Sequence, residues 1–403
     1  MGEPASFSAS LDAICTVSSH LPPRRPRVAY LITNSDVGGA QAHVADLLKA
    51  LHGRVDAVVL AGGDGPLFDA AQANGAKTIR LTLLDNALSP WRALSTFKQL
   101  IAALRATKPD LIHAHSAKAG ALGRLAGWIL GIPVVYTVHG FAFKPAAPAR
   151  QRHIARLAEW LLAPLTASMI CVAEAERTMA YALPIPSKRV HVIRNGIAET
   201  AAARAIPGAA VRRIVMVARL AAPKRADTVI RAFAHAALSD CELVLAGDGP
   251  QMATLCALAD AVVPGKVRFL GAVPDVPSLL ASAQMFVLAS DHEGFPLSIL
   301  EAMRAGLPIV ASDLPGIREQ LADGNCGRLV PGSDAQQWAA MLLQLAGSPK
   351  ERERLGNDAR QYWEQHFGMG SMADATWQVY QEVLVHRGAN PSEHPLQEHT
   401  RHE

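Results

Sequence analysis

Two carboxylates, Glu293 and Glu301, share one short stretch, Asp291-His292-Glu293-Gly294-Phe295-Pro296-Leu297-Ser298-Ile299-Leu300-Glu301. An apolar run precedes it at 285–289, and Gly306 and Pro308 follow it. That order reads as a strand, a corner and a helix that stops at the glycine. Pro296 suits the first helical position, where a missing N–H is no loss. The N–H groups after it, with the positive end of the helix dipole, suit an anion such as a nucleotide diphosphate. Glu293 before the helix and Glu301 within it can accept hydrogen bonds from hydroxyl groups. An anion-binding backbone beside hydroxyl-binding carboxylates points to a sugar nucleotide.

Other candidates fall at similar corners. Arg219 and Lys224 follow the run Ile214-Val215-Met216-Val217. Together they could clamp a diphosphate, Arg with a fork of donors and Lys with a point charge. Gly247-Asp248-Gly249 makes a tight turn that could face a nucleoside. Gly38-Gly39 lets backbone approach a ligand closely. It is not GxGxxG, and Asp56 and Asp64 are awkwardly placed for the ribose acid of a dinucleotide site, so a nicotinamide reading is disfavoured. His113 and His115 alternate onto one strand face, and His139 ends the next strand, where it could orient a hydroxyl or carry a proton. An HxH pair can hold a metal, but no third ligand is evident nearby. No D-x-D occurs to bridge a metal to a diphosphate, so we expect no metal.

These residues need a sheet edge to stand on. Apolar runs recur at 28–32, 55–60, 78–81, 111–114, 134–138, 169–172 and 190–193, mostly with helical stretches between them. The alternation resumes at 213–217 and continues through 242–246, 267–270, 285–289, 309–311 and 327–330. It predicts two doubly wound parallel sheets with ligands at their carboxyl edges. We expect a flexible leader at 1–26, a first Rossmann-like domain at 27–205, a second at 206–365, a helix at 366–386 crossing back to the first, and a disordered tail at 387–403. The amphipathic stretch 150–162 could lie on a membrane; we expect instead a sheet-covering helix with a basic outer face.

Composition bounds the class. Half of the 403 residues are apolar and 18% are charged, which gives two sizeable cores. Five scattered cysteines suit neither a disulfide framework nor a zinc site and point to a reducing cytosol. Residues 1–207 carry 22 Lys+Arg against 13 Asp+Glu, and residues 208–403 carry 17 against 22, so +9 and −5 make up the net +4. A basic first half suits an anionic lipid surface or a phosphorylated acceptor. Dispersed basic residues without an aromatic platform argue against nucleic acid. Met1-Gly2-Glu3-Pro4-Ala5-Ser6 fits the bare myristoylation pattern, though a plain leader explains it as well.

The combination of Glu293-Gly294-Phe295-Pro296 with Glu301, Arg219 with Lys224, Gly247-Asp248-Gly249, Gly38-Gly39 and His139-Gly140 resembles the retaining GT-B glycosyltransferases of family 4 over residues 27–385. The resemblance implies a metal-independent hexosyltransferase that uses a nucleotide sugar and no further cofactor. Arg219 and Lys224 would neutralise the leaving diphosphate and Glu301 would hold the ribose. Glu293 would contact the transferred sugar, with Gly294, Phe295, Pro296 and Leu297 shaping the backbone around it and Gly247 and Gly249 on the donor side. Gly38, Gly39, His115, Ser116 and Lys118 would lie on the diphosphate and acceptor side, with His139 beside donor sugar and acceptor. The stretch 113–143 is similar to the branch that builds exopolysaccharide, capsule or lipid-linked oligosaccharide. That implies a polyprenyl-diphosphate or glycan acceptor and a cytoplasmic enzyme on the inner membrane face. A nucleotide-sugar 2-epimerase and a non-catalytic nucleotide-sugar-binding protein are the competing readings.

Overall fold

The computed structural model describes residues 24–85, 90–143 and 149–389. The expected leader lies outside these residues up to 23, and its last part is tied down, since Arg24 forks onto Asp110 at 2.8 Å. The first sheet holds β1 (Arg27–Asn34), β2 (Asp56–Gly62), β3 (Lys77–Arg80), β4 (Leu111–His115), β5 (Val134–Val138), β6 (Ser168–Cys171) and β7 (Val190–Val192). Its order is β3-β2-β1-β4-β5-β6-β7, all parallel. The second sheet holds β8 (Arg213–Val217), β9 (Glu242–Ala246), β10 (Val267–Gly271), β11 (Met285–Leu288), β12 (Ile309–Ser312) and β13 (Arg328–Val330), in the order β10-β9-β8-β11-β12-β13 and again parallel. Both orders reverse beside the first strand, and a parallel α/β sheet opens a crevice at such a switch point.

Burial follows from the pleat. Ala29 and Leu31 of β1 pack into one core, and Val28, Tyr30 and Ile32 into the core on the opposite face. A strand buried on both faces must read as a continuous apolar run, which is why these strands were legible. The helix Met369–Ala389 completes the second of these cores with Met372, Ala373, Val379, Tyr380 and Val383. It therefore lies against the first sheet, although it follows the second in the chain. It runs past the expected end at 386, and the rest of the expected tail lies outside the described residues. A helix at Pro349–His366 was not anticipated; its buried side includes Arg352 and Arg360 beside Leu355, Ala359 and Trp363.

One covering helix reverses the expectation. Ala149–Leu162 buries Glu159, whose carboxylate takes a fork from Arg124 of the helix Ala117–Leu130 at 2.8 and 3.1 Å. Ile154, Leu157, Trp160 and Leu161 are 51–61% exposed. The ion pair, not the apolar stripe, faces inward. Cys171, Cys241, Cys256 and Cys326 are free thiols, and Cys15 lies outside the described residues.

Candidate active site

β11 delivers Glu293 and the helix Leu297–Ala305 delivers Glu301. Pro296 is extended (φ −64°, ψ 126°) and caps the helix, which therefore begins one residue later than expected, and no side chain caps the N–H groups that follow. Those donors stay open to an anion. Lys224 pairs with the carboxylate of Glu293, and both side chains are largely buried. The turn that carries Lys224 is fixed to the same strand end, because Asp291 N–H donates to the Pro223 carbonyl at 2.9 Å and Arg225 N–H to that of Ala289 at 2.9 Å. The residues expected to serve sugar and diphosphate separately thus form one ion pair. Arg219 is exposed and has no side-chain partner among the described residues.

The glycines divide into two kinds. Gly247 has φ +135°, and a Cβ there would lie 1.9 Å from the Ala218 carbonyl. A Cβ on Gly249 would lie 2.3 Å from the Leu220 carbonyl. Both are glycine so that their loop can pack against the Arg219 turn. Gly294 likewise admits the His139 carbonyl, 2.5 Å from where its Cβ would stand. The loop of Glu293 therefore touches the first sheet at His139. Gly39 differs: nothing lies within 4 Å of its would-be Cβ. Packing makes no demand for glycine there, at the start of the helix Gly39–Ala50, so the bare backbone leaves room for something else.

Two side chains lock the Glu293 loop in place. Asn195 Nδ2 donates to the Phe295 carbonyl at 2.8 Å, and Gln320 Nε2 to the Pro296 carbonyl at 2.9 Å. The ring of Phe295 is buried edge-on against Phe367, so Phe295 shapes the site through its backbone.

On the first sheet, His115 Nδ1 and His139 Nε2 lie 3.1 Å apart, one ring donating to the other. His43, one turn into the helix Gly39–Ala50, packs edge-on against His139 at 4.9 Å. Ring nitrogens of His43, His115 and His139 fall within 4.8 Å of one another, so the fold brings a third histidine that the sequence reading did not find. Burial lowers the pKa of His43 to about 4, against a hydrogen bond with Asn195, and burial with the neighbouring rings holds His115 and His139 well below the usual imidazole value. His139 is therefore neutral at neutral pH and suited to orienting a hydroxyl rather than donating a proton. His113 packs against His115 with ring centroids 4.1 Å apart, but its own nitrogens are taken up by Tyr380 at 2.5 Å and Thr137 at 2.7 Å, a structural role.

Ser116 has φ 72° and ψ 154°, a strained backbone for a residue with a side chain, and its hydroxyl meets Thr33 at 2.5 Å. Lys118 donates to the Asp85 carbonyl at 2.6 Å, so its ammonium is already engaged. Glu301 is half-buried beside Arg304; burial raises its pKa to about 7, Arg304 opposes the rise, and Asp46 of the other half adds to it. It also lines a pocket with Glu199, Thr200, Pro277 and Arg304.

Residues 207–362 match the family described as Glycosyl transferases group 1, and residues 37–200 match Glycosyltransferase Family 4. The alpha-maltose-1-phosphate synthase of Mycobacterium tuberculosis is 31% identical over 329 residues, 73% of this chain and 84% of that protein. The chain belongs to the family 4 glycosyltransferases. The UDP-Gal:alpha-D-GlcNAc-diphosphoundecaprenol alpha-1,3-galactosyltransferase of Escherichia coli is also similar, 27% identical over 342 residues, covering 80% of this chain and 88% of that one. Among solved structures, Anabaena HepE with UDP and glucose superposes with a TM-score of 0.77 at 20% identity, over 89% of this chain and all of that one. Sucrose-phosphate synthase from Thermosynechococcus elongatus gives 0.76 at 20% identity, over 90% of this chain and all of that one. This glycosyltransferase thus has the GT-B fold, two parallel-sheet α/β domains.

Proposed function

We propose that this glycosyltransferase moves a hexose from a nucleotide sugar, UDP-linked first and GDP-linked second, to a lipid-linked or glycan acceptor with retention of configuration. Its setting would be bacterial exopolysaccharide, capsule or lipopolysaccharide-type synthesis at the inner membrane face. The observation that carries the reading is the Lys224–Glu293 pair at an uncapped helix start, on a loop whose Gly294 abuts the His139 carbonyl of the other sheet. The diphosphate takes Lys224, Arg219 and the helix N–H groups, and Glu293, released from Lys224, takes the sugar's hydroxyls. The bond from the anomeric carbon to the phosphate oxygen breaks and a bond to the acceptor oxygen forms. The acceptor's proton passes to the departing phosphate oxygen, so no separate base is required. The charge is met by cations and backbone donors, which supports a metal-independent reaction. Glu301 holds the ribose, and Gly39 leaves the diphosphate room. The UDP-Gal:alpha-D-GlcNAc-diphosphoundecaprenol galactosyltransferase of Escherichia coli and the UDP bound in the Anabaena structure support the donor and acceptor classes.

The test is a donor screen, UDP- and GDP-hexoses against a short polyprenyl-diphosphate-sugar acceptor, read by mass spectrometry and by the anomeric configuration of the product. A product heavier by one hexose, with the donor's configuration, is expected. Conversion of the donor without any acceptor, or an inverted product, would sink the reading.

A further inference from the structure

The reversed helix has a neighbour of the same kind. Ala149–Leu162 and Ala117–Leu130 pack side by side on one face of the first sheet. On the first, Arg150, Ile154, Leu157 and Leu161 recur at helical spacing and so share the outward side, with Trp160 beside them. On the second, Trp128 is 62% and Ile129 48% exposed. An aqueous surface gains nothing from two tryptophans and four large aliphatic residues on adjacent helices, and such patches mark a partner. The charge around them has one sign. Arg150 and Arg156 are exposed, the only acid on either helix is Glu159, and Arg124 already neutralises it in the interior.

We propose that this face docks on a bilayer of anionic lipid. Apolar side chains, with tryptophans at the headgroup level and arginines on the lipid phosphates, are the chemistry of an interfacial helix pair. A two-fold contact between copies of the chain would bring two basic faces together with no unpaired acid on either helix to offset them, so the charge favours lipid over self-association. The interior ion pair fixes the orientation: turning the helix to hide its apolar side would strip Arg124 of its carboxylate.

Flotation of the full chain with phosphatidylcholine vesicles, with and without phosphatidylglycerol, tests this. The protein should float with the anionic vesicles at least about tenfold better than with neutral ones at low salt, because an exposed basic face gains roughly 1 kcal/mol per residue near such a surface. Leu157→Ser with Trp160→Ser and Leu161→Ser should abolish flotation with the thermal midpoint unchanged, since the side chains are exposed. Arg150→Glu with Arg156→Glu should remove the preference for anionic lipid. Failure of the native chain to float with anionic vesicles overturns the proposal. So does a triple variant that floats as well as the native chain, or a native dimer that this variant converts to a monomer. Flotation needs no substrate, so it is read separately from the transferase assignment.

Discussion

At the scale of residues, the site rests on carboxylates held in unlike ways. Glu293 is neutralised by Lys224, whereas Glu301 is neutralised only in part, by Arg304. Lys224→Met leaves the Glu293 carboxylate buried without its partner, and the expected loss is about 3 kcal/mol. Lys224→Met with Glu293→Gln should recover most of that in a denaturant titration while transfer stays abolished. A double variant as unstable as Lys224→Met would show that the pair is not coupled. Glu293→Gln alone should keep part of the donor binding and lose most of the transfer. Arg219→Ala, on an exposed turn, should lower turnover by about a hundredfold with no change in melting. Glu301 gives a pH signature. Its folded pKa, about 7, lies above the unfolded value, so its contribution is present below about pH 4.5 and is lost as pH rises through 7. Glu301→Gln should flatten that part of the stability profile, by up to roughly 3 kcal/mol. An unchanged slope between those limits would refute the burial argument.

At the scale of elements, two glycines can be set against each other. Gly39→Ala meets nothing and should leave the melting temperature unchanged or slightly raised, yet weaken donor binding. Gly294→Ala drives a methyl group into the His139 carbonyl and should cost about 1–3 kcal/mol as well as activity. Calorimetry together with donor titration separates the two, and equal destabilisation would refute the distinction. The same elements show what the sequence could disclose. The corner from β11 through Pro296 to Gly306 was legible because strand, proline and glycine each signal through the backbone, whatever surrounds them. His43 was not, because its approach to His115 depends on how the helix Gly39–Ala50 seats on the sheet. The reversed helix misled for a physical reason: its amphipathic pattern is real, but Arg124 and Glu159 on separate helices override it. Pro349–His366 reads as solvated because its buried side includes arginines, among them Arg352, which bonds the Pro207, Ala209, Leu345 and Ala346 carbonyls.

At the scale of the molecule, the buried histidines set a limit on acid tolerance. His43, His113, His115 and His139 all take up a proton less readily when folded. At these four sites the unfolded chain binds more protons below about pH 6.5, so they take stability away as pH falls, against the opposite contribution of Glu301, Asp46 and Glu176, whose carboxyl pKa values burial raises. Thermal melts should show His43→Asn gaining on the native chain as pH falls from 6.5 towards 4; a difference between the two midpoints that is indifferent to pH across that window would contradict the neutral cluster. The two sheets are not independent halves, because the helix Met369–Ala389 belongs to the core of the first, where Tyr380 meets His113. That arrangement has a consequence for synthesis. When β7 ends at Val192, the first sheet lacks the last of the helices that cover one of its apolar sides, and nearly two hundred residues must still be translated. At a few to twenty residues per second, the gap lasts on the order of ten to forty seconds. Throughout it the nascent chain presents the part of that apolar face that Met372, Ala373, Val379, Tyr380 and Val383 will cover, and a chaperone, or the second sheet as it emerges, must shield it.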